Sequence, residues 1–314
     1  MTNGVPFWTV DVFTNRRYAG NPLAVITDAR SLDDATMQTI ANEFGYAETT
    51  FVLPPRDPAT TAHVRIFTPL TEVPFAGHPN VGTAFVLASG GSDLDLAIDD
   101  TMVFDEAGGP VAIDIVRDDD AVLGAAITAP QAVERLGTCD VARIARCLSL
   151  PETAIATGRF TPTVASVGLE FAFAELATLD DLENITLDIS AFAEAARTEI
   201  NTVDDFALCA FVVLDDRDNG FRVRSRVLSP LGHPIEDPAT GSASGALASL
   251  LAASRAMPAD KTVVQIEQGV EMGRPSQITV TVPAEDGQVR APTIRGTCVA
   301  VSKGVLLQGG SAAL

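Results

Sequence analysis

Two stretches of this chain have the period of a helix and carry no charge. Asn80–Ser89 places Val81, Ala84, Phe85 and Ala88 at i, i+3, i+4 and i+7. Ser242–Ser254 sets Ala243, Ala246, Leu247, Leu250 and Leu251 on one side and Ser244, Gly245, Ala248 and Ser249 on the other. A helix without a polar face has no side to turn to water and is buried. Its small residues let strands come close on every side. The expected unit is a sheet wrapped around a central helix, and the chain contains it twice.

The duplication is also legible as a repeat. Arg65-Ile66-Phe67-Thr68-Pro69-Leu70 is echoed by Arg226-Val227-Leu228-Ser229-Pro230-Leu231, an offset of 161. Beyond a gap of two residues, Pro79 and Gly82-Thr83-Ala84 align with Pro238 and Gly241-Ser242-Ala243, an offset of 159. In this register His78 stands opposite Asp237. The alternative, pairing Gly77-His78-Pro79 with Gly232-His233-Pro234, puts the two histidines at different distances from their helices. The expected fold is α+β: two pseudo-symmetric lobes, each a mostly antiparallel sheet or barrel around a buried helix. The expected lobes are 1–128 and 129–314, with the boundary near Ala126–Gln131 and a last strand near 297–307 crossing back to the first.

Alternating runs at Trp8–Thr14, Val64–Thr68, Val111–Val116, Phe221–Val227, Thr262–Glu267 and Gln277–Val282 read as strands. In Phe221-Arg222-Val223-Arg224-Ser225-Arg226-Val227 the alternation implies one wet face. Ser31 is the expected N-cap of a helix that aligns Met37, Ile40, Ala41 and Phe44 and stops at Gly45. Asp140–Leu148 and Ser190–Ile200 read as further surface helices.

Composition limits the partners. The formal net charge is -20, from 21 Lys+Arg against 41 Asp+Glu, and such a surface repels nucleic acid and anionic membranes. Only Lys261 and Lys303 are lysines, a bias that fits either work in concentrated salt or a GC-rich genome. Cys139, Cys147, Cys209 and Cys298 have neither metal-site nor disulfide-framework spacing and read as buried thiols in a reducing compartment. The three histidines, His63, His78 and His233, show no metal-ligand spacing. With no apolar run of membrane length and no signal-like start, the chain reads as cytoplasmic.

The chemistry is expected where the buried helices begin. Helix N-termini leave N–H groups unpaired and carry partial positive charge. Two of them facing a shared cleft would hold an anion, most simply a carboxylate. Backbone N–H groups near Asn80, Val81 and Gly82 and near Gly241 and Ser242 are the expected donors, with Ser242 Oγ as a further one. Glycines at 77, 82 and 241 would let backbone approach the ligand. Each residue also has a plainer reading: Ser242 as an N-cap, His78 as a loop histidine, Asp237 as a turn residue, Glu48 as a solvated glutamate. No phosphate-binding G-x-x-x-x-G-K loop is present, and Gly241-Ser242-Ala243-Ser244-Gly245 lacks the central serine of a hydrolase elbow.

Several stretches together resemble a known family. They are Asp11-Val12-Phe13-Thr14, Ala19-Gly20-Asn21-Pro22-Leu23-Ala24-Val25, Ala47-Glu48-Thr49-Thr50-Phe51-Val52, Pro74 through Ala84 with its Gly77-His78-Pro79-Asn80 core, Glu236-Asp237-Pro238-Ala239-Thr240-Gly241-Ser242-Ala243, and Met272-Gly273-Arg274-Pro275-Ser276. The chain resembles the PhzF-like isomerases of phenazine biosynthesis, relatives of diaminopimelate epimerase and proline racemase. The resemblance implies two similar lobes with the active site between them, a homodimer and no cofactor. It implies that Glu48 shuttles a proton between carbons, while His78, Asp237 and Ser242 bind the substrate and assist. The related epimerases use two facing cysteines, whereas the corresponding helix-start positions here hold Asn80 and Ser242.

The expected function is therefore a cofactor-independent isomerase that moves a proton between carbons of a small carboxylate substrate, with Glu48 as acid and base and no metal. A non-catalytic small-molecule binding protein on the same scaffold is the alternative, distinguished by absence of solvent-deuterium exchange. A hydrolase or dehydratase would reveal itself by a product differing in mass by water.

Overall fold

The computed structural model describes residues 4–307 except 93, 201, 204, 205 and 233; His233 lies outside the described residues. The chain forms two compact units, one of residues 1–127 with 296–314, the other of 128–295.

The first unit contains β1 (Gly4–Val12), β2 (Asn21–Ile26), α1 (Asp34–Phe44), β3 (Glu48–Leu53), β4 (Ala62–Phe67), β5 (Glu72–Val73), α2 (Gly77–Ala88), β6 (Thr101–Glu106), β7 (Gly109–Asp118) and β8 (Ala121–Thr128). The second contains β9 (Glu134–Thr138), α3 (Val141–Cys147), β10 (Ile155–Ala156), β11 (Thr163–Ser166), β12 (Glu170–Leu176), α4 (Leu179–Glu183) and α5 (Ile189–Thr198). It continues with β13 (Leu208–Arg217), β14 (Gly220–Leu228), β15 (Glu236–Asp237), α6 (Gly241–Ala253), β16 (Lys261–Gln268), β17 (Ser276–Glu285) and β18 (Gln288–Val289). The last strand, β19 (Thr293–Leu307), pairs with β17 through Thr293–Arg295 and with β1 from Cys298 on.

In the first unit, pairing runs β1–β2–β3–β4–β6–β7–β8–β19 and returns to β1. The circuit is a closed eight-strand barrel, which leaves no edge in it exposed. Helix α2 is buried from His78 to Leu87 and lies against β1, β2, β3 and β7. Its close fit rests on Gly82: a Cβ there would stand 2.6 Å from Leu23 Cδ2 and 2.8 Å from Val12 Cγ2. This glycine seats the helix on the strands. Outside the barrel, α1 packs Met37 and Ala41 against Ile26, Phe51 and Phe67.

The second unit repeats the order. Strands β12 and β13 are parallel, as are β2 and β3; β13–β14 matches β3–β4; two-residue β15 matches β5 and precedes buried α6; β16 is parallel to β14, as β6 is to β4. Helices α3, α4 and α5 contribute Ile144, Leu182 and Phe192 to a separate apolar layer.

Strand register corrects the alignment read from the sequence. Val73 pairs with Ile66 where Asp237 pairs with Val227, and Glu72 pairs with Phe67 where Glu236 pairs with Leu228. The same two strands carry matching bidentate ion pairs, Arg65 with Glu72 (2.7 and 2.7 Å) and Arg226 with Glu236 (2.9 and 2.8 Å). Both helices start four residues later, at Gly77 and Gly241. His78 therefore corresponds to Ser242, not to Asp237. The longer turn after β14 lengthens this segment of the second unit by three residues, where the sequence match demanded a shortening.

Three local expectations also change. Asp33, not Ser31, caps α1, its carboxylate accepting Thr36 N–H at 2.8 Å. Helix α2 begins three residues before Asn80, and Pro79 is tolerated in its first turn, where no intrahelical bond is asked of its nitrogen. The basic face of β14 is less wet than its alternation implies. Arg224 and Arg226 are mostly covered, Arg224 by Glu267 and Glu271 and Arg226 by Glu236.

Candidate active site

How each helix begins separates the two buried helices from the rest. Asp33, Asp140, Thr178 and Asp188 cap α1, α3, α4 and α5 with their side chains. Ala76 before α2 and Thr240 before α6 make no such bond. The first-turn N–H groups of Gly77 and His78, and those of Gly241, Ser242 and Ala243, thus have no partner within their helix and no capping side chain. In the first unit this moves the available donors from Asn80–Gly82, which lie within the helical ladder, to Gly77–His78. Val81 and Gly82 are fully within the core, and the Val81 carbonyl is approached by Cys298 Sγ at 4.0 Å.

Three strands and one helix assemble the first unit's cluster. Gly45, in the left-handed conformation at φ 63°, ends α1 and turns the chain into β3, whose first residue is Glu48. Asn21 opens β2. His78, 6% exposed, extends from α2 so that its Nε2 is 3.5 Å from Glu48 Oε2, and Asn21 Nδ2 donates to its Nδ1 at 3.4 Å. Burial lowers the His78 pKa to about 3, because desolvation penalises an imidazolium. The ring is neutral at physiological pH, and with Nδ1 accepting from Asn21 its proton sits on Nε2, facing the Glu48 carboxylate. The pair therefore combines one acid–base group, Glu48, with one oriented N–H donor. A 3.5 Å approach is longer than a well-formed hydrogen bond. Asn80 is fully buried and faces Glu106, and Thr83 shares a 2.8 Å hydrogen bond with Thr50 of β3.

The second unit's cluster surrounds Asp237. Thr240 Oγ1 donates to Asp237 Oδ2 at 2.5 Å. Gln268, fully buried at the end of β16, donates from Nε2 to the Asp237 carbonyl (2.7 Å) and to Thr240 Oγ1 (3.1 Å), while its Oε1 accepts Thr240 N–H (3.2 Å). Ser276 Oγ donates to the Pro238 carbonyl at 2.7 Å. Gly269, at φ +72°, lies under this loop, and a Cβ there would stand 2.7 Å from the Pro238 carbonyl oxygen. Only glycine fits that approach. Ser242 is the second residue of α6, half-buried, and not its cap.

The structure thus brings Glu48 and His78 together and sets Asp237 beside the start of α6 with Gly241 and Ser242. Sequence reasoning missed Gln268 and Glu106. Gln268 had no distinguishing signal in a polar strand end. Glu106 had one: in Thr101-Met102-Val103-Phe104-Asp105-Glu106 it shares the parity of two apolar residues. Among the described residues, no group of His, Cys, Asp and Glu is placed to hold a metal ion, and no helix is long and apolar enough to cross a membrane.

Comparison with known proteins decides the family. The profile of the phenazine biosynthesis-like proteins matches residues 10–304. The chain belongs to that family. It is 36% identical over 302 residues to an uncharacterised isomerase of Mesorhizobium japonicum, covering 94% of this chain and 96% of that one. It is 32% identical over 298 residues to the trans-2,3-dihydro-3-hydroxyanthranilate isomerase of Pseudomonas fluorescens, covering 95% and 98%. A PhzF-family protein of Bacillus anthracis has the same fold, with a TM-score of 0.79 at 23% identity over 97% of this chain and 99% of that one. Like the relatives from Mesorhizobium japonicum and Pseudomonas fluorescens, this phenazine biosynthesis-like protein is an isomerase.

Proposed function

We propose that this isomerase moves a proton between two carbons of a small carboxylate substrate, with Glu48 as both acid and base and no cofactor taking part. The observation that carries the reading is the Glu48 carboxylate set 3.5 Å from a buried, neutral His78 at the start of an uncapped helix. Glu48 takes the proton from one carbon, the electron pair spreads into the conjugated carboxylate, and the same oxygen returns a proton to the other carbon. Negative charge develops on the substrate's carboxylate during this exchange. N–H donors fixed in advance stabilise it without reorganisation, and such donors are worth about 10²–10³ in rate each. His78 Nε2–H and the first-turn N–H groups at Gly77 and His78 are suited to this role. The family resemblance assigns Asp237 and Ser242 to substrate binding, with Gly241 contributing backbone N–H. The relative's named substrate makes trans-2,3-dihydro-3-hydroxyanthranilate the first compound to test.

The test is Glu48→Gln assayed with that compound in D2O. Loss of turnover by at least ~10²-fold, with loss of deuterium incorporation and an unchanged unfolding temperature, supports the assignment. Turnover within a few-fold of the parent removes Glu48 from the mechanism.

A further inference from the structure

The buried face of β6 carries a titratable group that the proposed reaction leaves unused. Met102, Phe104 and Glu106 are 0%, 0% and 3% exposed, so strand alternation turns the Glu106 side chain toward the core with two apolar neighbours. Both of its carboxyl oxygens are buried without a well-formed hydrogen bond, and so are the oxygen and nitrogen of the Asn80 amide. The two groups face each other closely enough for Asn80 to favour the ionised form of the acid.

Among the described residues, no cation is placed to offset that charge. On its own strand the neighbour is Asp105, of like sign, which is engaged by Arg56 at 2.6 Å and lies 3.7 Å from His63. From α2 the titratable group is His78, held neutral. From β4 it is His63, whose ring is bonded to the Asp105 carbonyl at 2.8 Å. From β7 the opposing residues are Gly109 and Pro110, which do not titrate. Burial pushes the Glu106 pKa up to about 8, so the acid keeps its proton at neutral pH.

The seat of Gly82 sets which face of α2 meets β1 and β2, and polar contacts add direction along the helix, where apolar burial alone is non-directional. Polar contacts reach it from several strands, among them Asn21 of β2 to His78, Thr50 of β3 to Thr83, and Glu106 of β6 to Asn80. We propose that Glu106, as an un-ionised carboxylic acid, is a positioning residue for the first turn of α2. Its O–H is donated to Asn80 Oδ1 and its carbonyl oxygen accepts from Asn80 Nδ2, and this neutral pair sets where His78 presents Nε2–H. Ionisation removes the O–H, turns the Asn80 oxygen away and shifts His78 relative to Glu48. The inference rests on the assignment of Glu48 and His78 to the reacting site.

The experiment follows the His78 ring nitrogens by NMR in histidine-labelled protein from about pH 6 to 10. In the parent, the His78 signals step with a midpoint near 8, and turnover of trans-2,3-dihydro-3-hydroxyanthranilate declines through the same range. Glu106→Gln, which keeps the shape and cannot ionise, abolishes the step and the decline. Asn80→Ala, which removes the link, abolishes the step too and serves if Glu106→Gln does not fold. A parent whose His78 signals are flat through pH 8, or a step that persists in either variant, overturns the proposal. Activity retained by Glu48→Gln would instead overturn the assigned chemistry, while the His78 step would still report on Glu106.

Discussion

The neutrality of His78 can be tested as a stability difference. Its ring is 6% exposed, and burial takes its pKa from 6.5 to about 3. The folded-state value is depressed, so between these two pH values the unfolded chain binds a proton that the folded chain refuses. Stability from this group is complete above pH 6.5 and is lost as pH falls toward 3. At about 1.36 kcal/mol per pH unit, the full span is worth about 5 kcal/mol. The span from 6.5 down to 4 accounts for about 3.4 kcal/mol of it. Denaturant unfolding of the parent and of His78→Asn, each from pH 7 to pH 4, reads this as a difference between two slopes. Contributions of Glu106 and the surface carboxylates are common to both proteins and cancel. The parent should lose about 3 kcal/mol more than the variant on acidification, and its His78 ring signals should keep the neutral, Nε2-protonated pattern at pH 5. Parallel slopes, or a His78 titration centred near 6, would show that the ring meets water or an anion strongly enough to be charged. The donor role assigned to Nε2–H at neutral pH would then fail.

Two further substitutions probe how the clusters are held. Gly82→Ala places a methyl 2.6 Å from Leu23 and 2.8 Å from Val12; overpacking of about 1–3 kcal/mol should outweigh the gain of up to ~1 kcal/mol in helix propensity and lower the unfolding temperature. A higher unfolding temperature would mean that α2 shifts freely against the strands. Gln268→Ala leaves the Asp237 carbonyl and Thr240 N–H without their buried partner. It should cost about 2–4 kcal/mol in stability, and kcat/KM should fall more than this loss of folded protein explains. An unaltered kcat/KM in the folded fraction would deny Gln268 any hold on Asp237.

The feature most legible in the sequence was the pair of uncharged helices. Residues that bury all faces of a helix must be apolar or small in any fold, so α2 and α6 announce themselves locally. Arg65 and Arg226, in the repeated motif, fall on equivalent strands, each in a bidentate pair with the glutamate of the short strand beside it. Glu48 and His78 could be singled out only because they sat in family-like stretches, since neither spacing nor composition links residues thirty positions apart.

Tertiary structure decided the rest. The register of β5 on β4 and of β15 on β14 assigned Ser242, rather than Asp237, as the counterpart of His78, because hydrogen-bonded strands fix alignment where a loop can gain residues unnoticed. The state of His78 was decided by burial and by Asn21 from another strand, neither of which its own neighbours in sequence specify. That Gly82 is the point where a helix seats against β1 and β2 is visible only once those strands are in place. A chain's local sequence sets which segments must be hidden from water; which polar groups then meet inside depends on distant strands brought to the same place.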